Sequence, residues 1–273
     1  MMNITASAIR RFRSSVYSYF TRHPRILPWR TDYDPYAIFI SEVMLQQTQV
    51  DRVCMKFPAF IAAFPGFRSL AKAPLSRIYA HWQGLGYNRR ALHCQQAART
   101  ILRDHGGILP DSPETLERLP GIGKATAASI CAFAFNKPVV FLETNIRTAL
   151  IHHFFYGRSA ISDEELLPIA QAALDQRNPR RWYSALMDYG SMLKKKYGNA
   201  SRRSAQYKKQ SPFQGSRRQV RGAILKALLE RPSLTAIQLA DSIGASPETV
   251  RSAAALLVSE ELLAVSGKRY RVP

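Results

Sequence analysis

The sequence is short of acid. Its 273 residues hold 19 Asp plus Glu against 39 Lys plus Arg, a formal net charge of +20. That balance is too basic for an ordinary cytosolic metabolic enzyme, and for a folded basic chain nucleic acid is the foremost partner. Cysteine is scarce as well. Cys54, Cys94 and Cys131 are odd in number, far apart and form no C-x-x-C pair, so neither a disulfide framework nor a cysteine-rich metal site is supported. No run approaches the roughly 18 consecutive apolar residues of a membrane span, which excludes an integral membrane protein of that kind. What is present is a hydrophobic fraction of 46%, enough for a sizeable core and incompatible with a wholly disordered chain. The Arg- and Ser-rich N-terminus has no acid before Asp32, a composition shared with mitochondrial transit peptides. Ile9, Phe12, Val16, Tyr19 and Phe20 nevertheless recur at helical spacing, so a folded amphipathic helix is expected, in a cytoplasmic, nucleoid-associated bacterial protein.

Strand-like alternation is also rare, and the fold class is mostly α. Helices are expected over 37–54, 57–64, 67–72, 75–83, 89–105, 113–118, 125–134, 145–155, 163–174 and 179–193, each closed by Pro or Gly punctuation. The composition changes at residue 194. Residues 194–221 carry ten Lys or Arg and no acid, interleaved with Tyr197, Tyr207 and Phe213. This stretch suits either a phosphate-tracking segment or a solvated linker.

Regular patterning resumes at Arg217. A helix bearing Val220, Ile224, Leu225, Leu228 and Leu229 precedes a second over 235–243 that ends at Gly244. Ser246 caps a third from Pro247 to about Glu260, and a hairpin turning at Ser266 and Gly267 closes the chain. Residues 217–273 thus resemble a winged helix-turn-helix module, which docks on DNA or on protein.

Two features carry chemistry. Leu119-Pro120-Gly121-Ile122-Gly123 lies between helices and reads as a helix-hairpin-helix turn, whose glycines let the backbone approach a phosphate at the following helix N-terminus beside Lys124. Glu42 lies in the apolar first half of its helix, where desolvation raises a carboxyl pKa toward what a general acid needs. A Glu so placed is more often a structural acceptor than a catalyst.

Leu27-Pro28-Trp29-Arg30, the block from Ser41 to Val50, Gly84-Leu85-Gly86-Tyr87 and Leu119 to Gly123 together resemble adenine DNA glycosylases, the MutY-type enzymes of the helix-hairpin-helix superfamily. The similarity spans roughly residues 7 to 193. It implies a two-lobed glycosylase domain over 1–193, with 31–142 as one helical lobe and 1–30 plus 143–193 as the other, a basic linker over 194–216 and the winged module over 217–273. It further implies double-stranded DNA with a mismatched or damaged base as partner, a base flipped from the duplex, and hydrolysis of its glycosidic bond by a monomer that uses no membrane. By resemblance Glu42 is the general acid, Arg25 orients it or its water, and Gln47 and Tyr87 fill or wedge the duplex. Leu119, Gly121, Gly123 and Lys124 belong to the phosphate-binding hairpin.

Three departures from the family pattern stand out. Glu143 occupies the position of the family's oxocarbenium-stabilising aspartate, with Asn145 retained, so a working carboxylate in a reshaped pocket is expected, although the same residues could merely cap a helix. Ala125 stands where relatives carry Tyr or Lys, which leaves no amine for Schiff-base lyase chemistry. No cysteine follows Cys131, so the family's iron-sulfur cluster has no thiolates there and no cofactor is expected. The winged module stands where relatives carry the domain that reads oxidised guanine. The function expected is a monofunctional glycosylase acting on mismatched adenine; the alternatives are a uracil or thymine mismatch glycosylase and a catalytically silent damage-recognition protein. His152 and His153 are adjacent, hence on different helix faces, and are expected to be structural.

Overall fold

The computed structural model describes residues 5–209 and 212–273. The described chain is mostly helical. In chain order the helices are α1 (Ala6–Arg22), α2 (Pro35–Leu45), α3 (Val50–Ala63), α4 (Phe67–Lys72), α5 (Leu75–Trp82), α6 (Arg89–His105), α7 (Pro113–Leu116), α8 (Lys124–Phe135), α9 (Thr144–Phe154), α10 (Asp163–Ala173) and α11 (Pro179–Tyr197). Then follow α12 (Arg217–Glu230), α13 (Ala236–Ile243) and α14 (Pro247–Ser259), with short strands β1 (Leu234–Thr235), β2 (Ala264–Ser266) and β3 (Arg269–Arg271). The chain forms two compact units, one from residues 5–42, 111–118 and 122–209, the other from 43–110, 119–121 and 212–273.

In the first unit α11 is the spine. Its buried face, with Trp182, Tyr183, Leu186, Tyr189 and Leu193, packs against α1, α8 and α9. The apolar stripe of α1 is present, with Ile9, Phe12 and Val16 buried, and Phe12 meets the edge of Trp182. Gly190 of α11 allows α11 to lie close against α9, because a Cβ there would fall on the main-chain carbonyl of Asn145 at the start of α9.

The basic stretch after residue 193 is more structured than a linker. Lys194, Lys195 and Lys196 form the last turn of α11, where cations meet the negative end of the helix dipole. A 3-10 turn over Ala200–Arg203 follows, and Ser204 bridges to Ile161. Arg203 donates to the carbonyls of Phe155 (2.9 Å) and Ile151 (3.4 Å), satisfying the open C-terminus of α9. This arginine is committed to the fold rather than to a phosphate.

In the second unit α4 packs on α6, and α3 and α5 enclose Phe60 and Trp82, whose rings meet at 5.7 Å. The three helices α12–α14 carry an antiparallel sheet of order β1-β3-β2. Gly244 closes α13 at φ 66° and Ser246 caps α14 by accepting from Thr249 N. The hairpin pairs Ser266 with Arg269, so its two turn residues are Gly267 and Lys268 rather than Ser266 and Gly267. β1, which completes the sheet, has two residues and leaves no periodicity to read.

The helix expected over 37–54 is broken. α2 ends at Leu45 and α3 begins at Val50, and Gln47 between them takes φ 54°. That backbone state costs a non-glycine residue energy unless its surroundings hold it there. α3 in turn runs without interruption through residues 55–56, where a break between two helices is expected, and carries Pro58 inside it.

Candidate active site

Glu42 lies on α2, whose neighbouring residues Ile38, Phe39, Ile40, Val43 and Met44 are buried. Its carboxylate accepts a hydrogen bond from Ser129 Oγ at 2.5 Å, and Ser129 is itself buried in α8. Glu42 keeps some accessible surface yet is densely surrounded by protein, and this desolvation pushes its pKa up to about 7. The charge of Glu143 adds to the rise, while the Ser129 hydrogen bond and the Arg30 guanidinium oppose it.

Glu143 is the N-cap of α9. Its carboxylate accepts from Ile146 N at 2.8 Å and from Asn145 Nδ2 at 3.3 Å. Burial raises its pKa too, but those donors at the positive end of a helix, with Lys194 and Arg147, favour its charged form. The capping role and a role as a carboxylate facing a substrate are therefore compatible, since one oxygen caps and the other is held by Asn145. Asn145 Oδ1 is buried and has no hydrogen-bond partner.

Arg25 does not reach Glu42 through a hydrogen bond. Its Nε donates to Asp188 Oδ1 at 2.6 Å and its main-chain N–H to Oδ2 at 3.0 Å. Arg30 donates to the same carboxylate through both terminal nitrogens, each at 3.0 Å. Asp188 is fully buried between these two arginines. Two cations on one carboxylate leave a local positive surplus, and Arg30 is the one felt by Glu42. Ser129 and Arg30 are thus site residues that sequence reasoning misses. Arg30 lies inside the Leu27-Pro28-Trp29-Arg30 motif, but Ser129 gives no signal because its partner is 87 positions away.

In the second unit Arg90 builds the turn that bears Gln47 and the loop that bears Tyr87. It is 8% exposed. Its Nη1 donates to the carbonyls of Val43, Met44 and Gln46, and its Nη2 to Thr48 Oγ1 and the carbonyls of Leu85 and Gly86, all between 2.6 and 3.1 Å. Burial lowers its pKa to about 10, which leaves it charged at neutrality. The guanidinium serves the open end of α2 and stacks over Tyr87, which like Gln47 is left-handed, at φ 48°. Nothing in a linear pattern marks an arginine whose partners are main-chain carbonyls.

The hairpin residues divide in role. Leu119 is buried at 3%, so its side chain is core and only its main chain can meet a ligand. Gly121 needs to be glycine twice over: its φ is +77°, and a Cβ would strike His93. Its carbonyl accepts from Gln46 Nε2 at 3.1 Å. Gly123 has an ordinary extended φ of −99°, which any residue adopts, and caps α8 without a side chain. Lys124 and Ala125, in the first turn of α8, are exposed. His153 bonds Tyr189 Oη at 2.7 Å, and burial lowers its pKa to about 4, as suits a structural neutral histidine.

The three cysteines are free, Cys94 and Cys131 are buried, and among the described residues no three His, Cys, Asp or Glu converge as metal ligands. No helix among the described residues is long and apolar enough to cross a membrane.

Residues 40–171 match the HhH-GPD superfamily base excision DNA repair protein family. The chain is 35% identical over 178 residues to the adenine DNA glycosylase of Buchnera aphidicola subsp. Baizongia pistaciae, covering 65% of this chain and 50% of that protein. It is 33% identical over 194 residues to the adenine DNA glycosylase of Homo sapiens, covering 67% and 36%. The chain therefore spans half or less of the length of these two relatives. Among solved structures, a thermostable thymine-DNA glycosylase superposes with a TM-score of 0.61 at 25% identity, over 68% of this chain and 87% of that one. With its helix-hairpin-helix turn and mostly helical fold, the chain carries, over residues 40–171, a domain of the HhH-GPD superfamily of base excision DNA repair proteins.

Proposed function

We propose that this chain is a monofunctional DNA glycosylase that hydrolyses the N-glycosidic bond of adenine flipped out of a mismatched duplex. The observation that supports it most is the pairing of two desolvated carboxyl groups with different partners, Glu42 with a hydroxyl donor only and Glu143 on a helix N-terminus. Burial raises both pKa values, but the richer set of donors and cations around Glu143 works for its charged form, which gives Glu42 the role of acid and Glu143 that of carboxylate. Glu42 gives its proton to a ring nitrogen of adenine, the bond from the sugar to the base breaks, and the bonding pair leaves with the base. Glu143 faces the oxocarbenium that develops. Water adds to the sugar carbon and its proton returns to Glu42, leaving an abasic site. Asn145 holds Glu143 through Nδ2 and offers Oδ1 as an acceptor inside the site. Arg25 acts indirectly, by fixing Asp188 together with Arg30.

The substrate is double-stranded DNA, engaged by a monomer. Gly121, Gly123 and Lys124 meet phosphate through the hairpin, Leu119 supports them from the core, and Gln47 and Tyr87 occupy the gap in the base stack. Ala125 supplies no amine, so no covalent imine forms and strand scission is left to alkali or to another enzyme.

A second reading, a thymine or uracil mismatch glycosylase, is favoured by Ala125 and Glu143, two altered pocket positions, and by the 25% identity to a thymine-DNA glycosylase structure. Defined duplexes separate the two. Alkali-dependent cleavage at adenine opposite guanine or 8-oxoguanine is expected; cleavage at uracil or thymine opposite guanine supports the second reading. Damage-selective binding with no cleavage on any duplex overturns both and leaves a silent recognition protein.

A further inference from the structure

The C-terminal module takes no part in the proposed reaction, and its helix-turn-helix pattern alone suits DNA and protein equally. The chemistry of its hairpin separates the two. β2, β3 and the turn between them hold Lys268, Arg269 and Arg271 and no acid. Side chains alternate along a strand, and Tyr270 pairs with buried Leu234 and with Val265 on one face of the sheet. Arg269 and Arg271 therefore share the other face, where both are exposed. Ser266, directly opposite Arg269 in the ladder, joins them, and Lys268 stands exposed at the turn.

The three cations differ in freedom. Arg269 donates from Nε to Ser233 Oγ at 2.9 Å and from Nη2 to the Ser233 carbonyl at 2.8 Å, which pins the hairpin to the residue before β1. Lys268 and Arg271 project from that pinned frame, and the module's two ion pairs among the described residues, Arg221–Glu260 and Lys226–Glu230, leave both out. Glu261 accepts from Gln96, so the acids left open in the module are Asp241 on α13 and Glu248 on α14. A docking face for protein has an apolar or aromatic centre and few lysines, whereas the one apolar side chain on this face is the small Ala264, opposite Arg271. The complement of such a face is a polyanion.

The helix-turn-helix itself is built to read little sequence. Gly244 closes α13 in the left-handed region and Ser246 caps α14, whose exposed residues include Thr249, Arg251 and Ser252. Base readout relies on bidentate Arg or Lys for guanine and Asn or Gln for adenine, and of these α14 has Arg251 alone. Glu248 sits in its first turn and already answers the helix dipole, so no phosphate is drawn to that terminus. We propose that the C-terminal module is a duplex DNA clamp without sequence preference, with Lys268 and Arg271 on backbone phosphates and α14 laid in a major groove through Thr249, Arg251 and Ser252. Its ligand is any duplex, damaged or intact, so it does not rest on the glycosylase reading. Phosphate contacts of this kind supply essentially all of the affinity for non-specific DNA and let a protein slide along it.

Intact DNA tests it on the full chain. Fluorescein-labelled duplexes of random sequence are titrated by anisotropy over a salt series with wild type, with Lys268→Gln plus Arg271→Gln, with Arg251→Ala, and with Lys226→Gln as a charge control on α12. Thermal unfolding checks that all four fold. The double variant is expected to bind about tenfold more weakly, with the slope of log K against log salt flatter by about 0.9 for each cation removed. Arg251→Ala is expected to weaken binding severalfold, and Lys226→Gln to leave it unchanged. Duplexes recovered from the bound pool are expected to show no enriched sequence, and a consensus among them overturns the absence of sequence preference. Wild-type affinity and slope in the double variant overturn the clamp and leave Lys268 and Arg271 to an acidic protein partner. Equal weakening by Lys226→Gln overturns it too, because net charge and not this face would then set the affinity.

Discussion

Gly190 lies so close to the main-chain carbonyl of Asn145 that no other residue fits between α11 and α9. That contact places Glu143, two residues before Asn145, and it shares α11 with Asp188, two residues before Gly190. Gly190→Ala is therefore expected to move both ends of the site. Overpacking of this kind costs about 1–3 kcal/mol, and in a protein of this size each kcal/mol lowers Tm by about 2–4 °C. Calorimetry and single-turnover rates should fall together.

Glu42 gives the pH dependence a definite sign. Its folded pKa of about 7 lies above the unfolded value of 4.5, so the folded state prefers the protonated form. Stability from this group is intact below about 4.5 and declines as pH rises through 7. Glu42→Gln should accordingly abolish activity yet raise stability at pH 8.5 relative to wild type, by on the order of 1–3 kcal/mol, with little difference at pH 4.5. Thermal unfolding at the two pH values checks it.

The same acid sets the alkaline limb of the base-release rate, which should fall as pH rises through about 7. Ser129 lowers that pKa through its hydrogen bond, so Ser129→Ala should move the limb to higher pH while the maximum rate drops. A pH–rate profile of both proteins decides. A limb that stays in place in Ser129→Ala would show that Glu42 is not the titrating group.

Arg90 is expected to be the least replaceable cation in the second unit. Arg90→Met leaves several buried carbonyls without donors, at about 1–3 kcal/mol each, and frees Gln47 and Tyr87 from their left-handed conformations. Unfolding of the second unit ahead of the first, seen by hydrogen exchange, is the expected signature.

The basic segment should divide into folding and binding residues. Arg203→Ala should destabilise the protein, because the α9 carbonyls lose their donor. Neutralising Lys194, Lys195, Lys196 and Arg202, which are exposed, should instead weaken DNA binding and flatten its salt dependence, by about 0.9 in slope for each phosphate left without its cation.

Much of this architecture is legible in the sequence because local chemistry repeats. Helices α4 and α6 begin and end where their periodicity does, and Gly244 with Ser246 marks the turn of the C-terminal module. The site is legible in its carboxylates through family resemblance, with Glu42 and Glu143 carried onto matching motifs. What escapes is whatever depends on distant main chain. The break at Gln47 is held by Arg90, more than 40 positions away, and the apparent linker folds because Arg203 finds the end of α9. Resemblance assigns Arg25 to Glu42, but the side chain is drawn to Asp188, which hydrophobic periodicity does not distinguish from a surface acid.

The most direct test is single-turnover release of adenine from duplexes with adenine opposite 8-oxoguanine or guanine, comparing wild type, Glu42→Gln and Glu143→Gln. Both variants should bind the duplex and fail to release the base, with losses of about 100-fold or more, since a positioned proton donor alone contributes 10²–10⁴. Base release by Glu42→Gln at the wild-type rate would contradict the assignment of Glu42 as the acid on which this mechanism depends.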